Sequence, residues 1–120
     1  MKWDVGFAAE FKPEFDTLPA QVQDKILALA IVLENYGPLA RRPYVDTLNG
    51  SRYPNMKEGR LSAADGEWRV ALAFDPARNA ILLVAGDKSG VSHRQFYRQL
   101  IEKADKRFAA HLASLGRKGN

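Results

Sequence analysis

Residues 55–88 constrain the fold more than any other stretch, because they contain three short runs of strand-forming residues joined by two turns. In the middle run every second side chain is bulky and apolar: Trp68, Val70, Leu72 and Phe74. The side chains between them are small apart from one guanidinium: Arg69, Ala71 and Ala73. We expect helices to cover the bulky face. The face with Arg69 is the expected functional face, since arginine is an unusual choice for a surface meant only for packing.

Turn-forming residues at 62–66 and 75–79 predict two hairpins within this stretch. The third run, residues 80–85, is apolar throughout, which predicts a central strand covered on both faces. Residues 39–54 contain prolines and an Asn-Gly pair, which predict a long irregular connection.

Helices are predicted on both sides of this stretch. Residues 2–7 form a candidate strand, and an apolar stripe at steps of four, four and three then predicts a short helix: Phe7, Phe11, Phe15 and Leu18. A start nearer Lys12 is also possible, because Pro13 is tolerated in a first turn. A second helix is predicted over 20–36 and ends at Gly37. A last helix over 92–115 opens with a Ser92 capping box and ends at Gly116, before a frayed tail over 117–120.

Length and composition predict one soluble domain spanning residues 1–120, with 46% apolar and 27% charged residues. There is no cysteine, which excludes disulfides, thiolate metal sites and cysteine nucleophiles. No apolar run approaches the ~20 residues of a membrane span, and the start does not resemble a signal peptide. We therefore expect a cytoplasmic protein.

The two histidines, His93 and His111, are 18 residues apart on one predicted helix. That spacing separates them by about 27 Å, so they cannot share a metal ion. Glycine-rich phosphate loops, nucleophile elbows and paired-carboxylate signatures are absent from the sequence. We therefore expect neither a metal nor a cofactor.

Charge is distributed unevenly along the chain. Residues 1–40 have a net charge of −3, whereas residues 41–120 have a net charge of +7. A basic second half favours a polyanionic partner such as RNA, although solvated surfaces also carry such an excess. The 39–54 connection interleaves cations with aromatic rings, which suits phosphate contacts and base stacking: Arg41, Arg42, Tyr44, Arg52 and Tyr53. The alternative is a surface loop whose tyrosines pack on the domain.

A set of basic and proton-exchanging side chains falls on the predicted strands and at the start of the last helix. The candidate catalytic residues are Lys57, Arg60, Arg69, Lys88, His93 and Tyr97, with Arg94 beside them as an RNA-binding candidate. Regular alternation places Lys57 and Arg60 on opposite faces, so only one of them joins Arg69 without a bulge. The presence of each residue alone is explained equally well by a solvated surface or by packing as by a catalytic role. Their expected co-location favours a site.

The runs GSRYPNMKEGRL, EWRVALAFDPARNAILLVAGDKSG and FYRQLIEKADKRFAAHL resemble the phage-derived, HigB-like branch of the RelE/ParE toxin superfamily. The resemblance covers nearly the whole chain, and its elements come in family order. Two positions depart from the family pattern. Gly59 stands where a leucine is usual, and Trp68 replaces the commoner tyrosine before Arg69.

The resemblance implies an α+β fold, in which a small antiparallel sheet packs against an N-terminal helical hairpin and a C-terminal helix. It also implies a ribosome-dependent, metal-free endoribonuclease that cuts mRNA and is neutralised by a helix-turn-helix antitoxin. Arg60 and Arg69 would then stabilise the phosphate transition state, with Lys57 or Lys88 assisting as a cation or base. His93 would exchange protons, and Tyr97 would orient the nucleophile or stack on a base.

Two other functions remain open at this point. A protein of the same fold could act by binding alone, as a gyrase poison in the manner of ParE. A catalytically inactive nucleic-acid-binding relative is the third possibility, with Gly59 as the mark of a lost site.

Overall fold

The computed structural model describes residues 2–118 as one mixed sheet with helices on both of its faces. The elements in chain order are β1 (Asp4–Phe7), α1 (Phe11–Asp16), α2 (Ala20–Tyr36), a 3-10 turn (Gly37–Leu39), β2 (Val45–Thr47), β3 (Lys57–Ala63), β4 (Gly66–Phe74), β5 (Asn79–Asp87) and α3 (His93–Lys118). The predicted α+β class, with a helical hairpin near the N-terminus and a closing helix, is confirmed. No helix within these residues is long and apolar enough to cross a membrane.

The sheet has five strands in the order β1-β5-β4-β3-β2. The three predicted strands form its antiparallel centre, and β1 adds to β5 in parallel. The short strand β2 lies inside the connection predicted to be irregular, where it pairs with β3 and buries Val45. A strand of three residues is too short for period-two alternation to stand out in a sequence.

Each face of the sheet is covered by a different helix. Leu29 of α2 packs against Gly59, and Phe96 of α3 packs against Gly86 on the opposite face. The face with Arg69 is the expected functional face, but α3 covers it, and Arg69 is only 3% exposed. The physical reason is that small residues such as Ala71 leave room for the bulky stripe of α3.

The start of α1 agrees with the second of the two predicted starts, near Lys12, whereas the end of α3 differs from the prediction. Phe7 ends β1, and α1 begins at Phe11, although both rings contact Phe15 as the stripe indicated. The last helix continues through Gly116 to Lys118, because an exposed glycine weakens a helix without ending it. Residues 119–120 of the expected tail lie outside the described residues.

Gly59 has a packing role that explains its departure from the family pattern. A Cβ atom at Gly59 would lie 2.4 Å from Cδ2 of Leu29, which is 3% exposed. Only a residue without a side chain allows α2 to approach β3 this closely. The glycine is therefore a packing feature of the α2–β3 interface.

Replacement of Gly59 by alanine is expected to destabilise the protein by about 1–3 kcal/mol, since the new methyl group overpacks a filled core. Urea unfolding measures this change. Gly6→Ala is the matched control, because a Cβ there meets nothing within 4 Å in another strand. The double variant Gly59→Ala/Leu29→Ala should lose less unfolding free energy than the two single variants lose together. Simple additivity would contradict the proposed contact.

An ion pair ties α1 to α3 across the edge of β5. Arg107 donates from Nη1 to Oε1 of Glu14 at 2.8 Å and from Nη2 to Oε2 at 2.6 Å. Nη1 also donates to the carbonyl oxygen of Leu83 at 2.8 Å. Leu83 is the extra residue of the β-bulge in β5, so the guanidinium satisfies a carbonyl that the β4–β5 ladder leaves out.

The Arg107 hydrogen bonds lower the pKa of the Glu14 carboxyl. A lowered pKa means that this pair stabilises the fold above the ordinary glutamate pKa, and that the contribution disappears as the pH falls through the lowered value. Glu14→Gln should therefore reduce the free energy of unfolding at pH 7 and have a progressively smaller effect below about pH 4. Urea titrations at several pH values test this. The exposed Glu102→Gln control should show no such dependence.

Candidate functional site

A buried polar network joins β3, β4 and α3 on the face that α3 covers. Arg69 donates from Nε to the Tyr97 hydroxyl at 3.3 Å and from Nη1 to the carbonyl oxygen of Trp68 at 2.9 Å. The Tyr97 hydroxyl in turn donates to Oε1 of Glu58 at 2.7 Å. Glu58 also forms an ion pair with Arg69, with an Nε–Oε1 distance of 3.4 Å. The three side chains therefore form a closed triangle of polar contacts.

Strand register explains why these residues meet. Arg60 lies directly across from Arg69 in the antiparallel β3–β4 pair, so both side chains belong to one face. Glu58 is two residues before Arg60 on the same strand and so shares that face. Arg69 is buried and paired, and it does not present the free guanidinium that the sequence reading assigned to phosphate binding.

The Tyr97 phenol is held in its protonated form. Burial raises the pKa of Tyr97, and the hydrogen bond to Glu58 raises it further, which outweighs the opposite effect of Arg69. At neutral pH the hydroxyl is therefore a hydrogen-bond donor and not a base.

Three other candidate residues lie at the same end of this face. The exposed His93 opens α3, and the centroid of its ring is 4.7 Å from that of Tyr97. The backbone N–H of Lys88 donates to the carbonyl oxygen of Glu67 at 2.9 Å, so Lys88 continues the β5 ladder on the Arg69 face. The Arg60 side chain is 35% exposed beside Arg69. We call Arg60, Lys88, His93 and Tyr97 the polar cluster.

Lys57 lies outside the polar cluster. It pairs with Leu72 in the β3–β4 ladder, which places its side chain on the α2 face. There its Nζ donates to the Thr47 hydroxyl at 3.4 Å. The bulge that would have brought Lys57 and Arg60 together is absent from β3, which pairs regularly with β4 along its length.

The RNA-binding candidates divide into two groups. Arg42 donates from Nε to Asp46 at 2.9 Å, and Arg60 lies 3.9 Å from the same carboxylate, so Arg42 adjoins the polar cluster. Arg41 and Tyr44 are exposed in the connection before β2, and Arg94 is exposed next to His93 in the sequence.

Arg52 and Tyr53 lie elsewhere. The backbone N–H of Arg52 donates to Asp105 at 3.0 Å, and the Tyr53 ring packs edge-on against Phe108 at 5.0 Å. Asp105 follows His93 by 12 residues, which is about 18 Å along the helix. The Tyr53 ring therefore packs on the domain, as the alternative reading expected.

Sequence reasoning missed the acidic members of the site, Glu58, Glu67 and Asp46. Glu67 lies 3.8 Å from Arg69 and accepts hydrogen bonds from the hydroxyl of Ser62. The alternation of β3 could have revealed Glu58, because it shares a face with Arg60. Asp46 belongs to a strand that was itself not predicted.

Residues 13–109 match the family described as Phage derived protein Gp49-like (DUF891). The chain belongs to this family. It is 46% identical over 97 residues to a Mycobacterium tuberculosis protein named as the toxin HigB2, and the match covers 80% of the chain and 48% of that relative. It is 47% identical over 83 residues to another named as the toxin HigB3, covering 69% of the chain and 70% of the relative. The chain thus spans about half the length of HigB2 and most of the length of HigB3.

Two solved structures share the fold of this Gp49-like protein. A mutant of Escherichia coli toxin RelE in the free state superposes with a TM-score of 0.60 at 12% identity, covering 89% of this chain and 98% of RelE. The archaeal RelE of a RelE–RelB complex from Pyrococcus horikoshii gives 0.53 at 20% identity, covering 76% of this chain and all of that one. The chain therefore has a RelE-like fold and is similar in sequence to proteins named as HigB toxins.

The buried pair predicts a specific pattern of stability changes. Arg69→Met should destabilise the protein by about 3 kcal/mol or more, because it leaves the Glu58 carboxylate buried without its cation. The double variant Arg69→Met/Glu58→Met should recover much of that loss, since both charges are then removed. Urea unfolding of both variants tests the pair. A double variant as unstable as the sum of the single variants would contradict it.

Proposed function

We propose that this protein is the toxin of a type II toxin–antitoxin system and acts as an mRNA endoribonuclease that inhibits translation in the cytoplasm. Membership of a family whose relatives are named HigB toxins supports the toxin role. The single observation that supports RNA cleavage best is that Arg60, Lys88, His93 and Tyr97 lie at one end of one face.

RNA contains its own nucleophile, so the protein has to supply only proton transfer and charge stabilisation. In the proposed reaction, His93 accepts the proton of the 2′-hydroxyl while the 2′-oxygen bonds to the adjacent phosphorus. The bond from phosphorus to the 5′-oxygen breaks, and Lys88 donates a proton to that oxygen. The products are a 2′,3′-cyclic phosphate and a 5′-hydroxyl end. No metal ion enters this scheme.

The remaining residues of the site stabilise the charge of the transition state. Arg60 is the exposed guanidinium next to the scissile phosphate in this scheme, and arginine suits a phosphate because it stays charged and donates in pairs. The protonated Tyr97 hydroxyl orients the reacting groups. Arg69 is a positioning residue, since its hydrogen bond to Tyr97 fixes the phenol without reaching the substrate.

Growth arrest and RNA cleavage by variants test this proposal. Lys88→Ala and His93→Asn should each lower cleavage by about 100-fold or more, because each removes a proton-transfer group. The folded state should be unaffected, since neither side chain is buried. Lys106→Ala, an exposed cation on α3, is the control. Full activity of both cluster variants at equal protein levels would disprove the assignment.

Two further measurements fix the mechanism. Loss of the acidic limb of the pH–rate profile in His93→Asn is expected if the imidazole is the base. Undiminished cleavage in EDTA is expected of a reaction that needs no metal. Cleavage of translated transcripts, and not of naked ones, would show that the ribosome is required.

One observation favours a second candidate, a ParE-like gyrase poison that acts by binding. Glu58 neutralises Arg69, which leaves the site less cationic than its arginine content suggests. Mapping of mRNA ends during growth arrest separates the two functions. New 5′ ends support the ribonuclease, whereas a DNA-damage response without new ends supports the poison.

The partner of this toxin is proposed to be a small helix-turn-helix antitoxin that binds it tightly, with the ribosome and mRNA as its targets. The structural neighbour from Pyrococcus horikoshii is described as a RelE–RelB complex, which supports a protein partner. The product of the reading frame beside this one is the protein to test for binding.

A further inference from the structure

Most of the strongly exposed large apolar side chains lie within residues 27–44 of the sequence. Six large apolar residues in the described part of the chain are strongly exposed, and five of them lie on α2 or between α2 and β2: Leu27, Ile31, Tyr36, Leu39 and Tyr44. Leu39 alone is 72% exposed. Tyr36 and Leu39 line a depression with Trp3 and Arg78, whereas Tyr44 lines a separate groove beside α2.

This groove lies between α2 and the end of β3, with a volume of about 390 Å³. Its apolar lining comes from Ala28, Leu29, Val32 and Leu61. Lys25 and Arg60 also line it, together with Tyr44 and Ser62, and within residues 2–118 no carboxylate does. The groove is therefore apolar at its floor and cationic at its rim, which suits a segment with apolar and acidic side chains.

One wall of the groove is an open sheet edge. The Arg60 N–H donates across this edge to the carbonyl oxygen of Tyr44 at 2.8 Å, beyond the last residue that β2 pairs. By alternation, the N–H and C=O of Ser62 point the same way, and no described residue pairs with them. Unpaired groups at a strand edge are a template for an added strand.

We propose that this groove is the docking site for an extended segment of the antitoxin that has apolar side chains and at least one carboxylate. The segment pairs with β3 at Ser62, buries its apolar side chains against α2 and places its carboxylate on Lys25 or Arg60. This inference rests on the proposed toxin–antitoxin function and adds the surface, the conformation of the bound segment and its chemistry.

Two other occupants fit the groove less well. RNA bases stack on aromatic faces, whereas the floor of this groove is aliphatic and Tyr44 is its only ring. A second copy of this chain in a two-fold arrangement would bring Lys25 and Arg60 of both copies together, and like charges at an interface oppose association.

Occupation of the groove would also reach the polar cluster, because Arg60 belongs to both. Nη1 of Arg60 lies 3.9 Å from Oδ2 of Asp46, which is longer than a hydrogen bond. The N–H donors of the Arg60 guanidinium are therefore available to another acceptor. A carboxylate that binds Arg60 from the groove removes this cation from the phosphate. The antitoxin would then inhibit cleavage without entering the His93–Tyr97 end of the site.

The test measures binding of the purified product of the neighbouring reading frame to variants of the full chain by calorimetry. Ala28→Arg places a bulky cation in the groove and should weaken the complex about tenfold or more. Ala110→Arg is the matched control, since it is also an exposed helical alanine but lies on α3. Lys25→Glu should weaken binding about tenfold, whereas Lys106→Glu on α3 should change it less than about twofold.

Ser62 allows a separate test of strand addition. Its N–H points away from β4, so Ser62→Pro removes no bond of the β3–β4 ladder but blocks an added strand. We expect Ser62→Pro to weaken the complex about tenfold and Ser62→Ala to leave it within about twofold. Thermal unfolding of each variant confirms that the fold is retained.

Unchanged affinity for the Ala28→Arg and Ser62→Pro variants would overturn the docking site while leaving the toxin proposal intact. Absence of any complex with the unaltered chain would overturn both this inference and the proposed antitoxin, whereas the cleavage assay would still report on the ribonuclease. A homodimer of the free chain that Ala28→Arg abolishes would assign the groove to self-association. Loss of single-stranded RNA binding in Lys25→Glu, with the protein complex unaffected, would assign it to RNA.

Discussion

The buried contact among Arg69, Glu58 and Tyr97 couples the centre of the sheet to the closing helix. Arginine and glutamate are rarely buried unless they are paired, and here the phenol completes the pairing from α3. Loss of any member leaves a buried polar group without its partner. The same contact fixes Tyr97 beside His93, so the stability of the fold and the geometry of the polar cluster depend on one set of bonds.

The strands of the centre could be predicted from the sequence because their alternation is long and their turns have the required residues. Ala64 and Asp65 both adopt positive φ in the hairpin between β3 and β4, which is what a two-residue turn requires. The strand β2 could not be found, since three residues give no period. The end of α3 could not be predicted either, because a glycine near the end of a helical sequence can end the helix or lie within it, as Gly116 does.

For the candidate site, the sequence predicted which residues share a face better than it predicted which of them are buried. Alternation alone separates Lys57 from Arg60, and the structure has them on opposite faces. The role assigned to Arg69 failed for a different reason. In the sequence, a single arginine among small residues suggests an exposed cation. In the structure, α3 packs against those small residues and buries the arginine. Which face a helix covers depends on long-range packing, and no local pattern encodes it.

The strand β3 contributes residues both to the polar cluster and to the groove that is proposed to bind the antitoxin. The strand alternates between a face that α2 covers and a face that α3 covers, and its free edge lies between them. Gly59 allows Leu29 of α2 to approach this strand closely, and Leu29 also lines the groove together with Arg60. A glycine whose place in the sequence suggests a lost site is therefore better understood as a residue that allows α2 to pack against β3. Because Arg60 belongs both to the polar cluster and to the lining of the groove, the proposed antitoxin segment would compete with a phosphate for the same guanidinium.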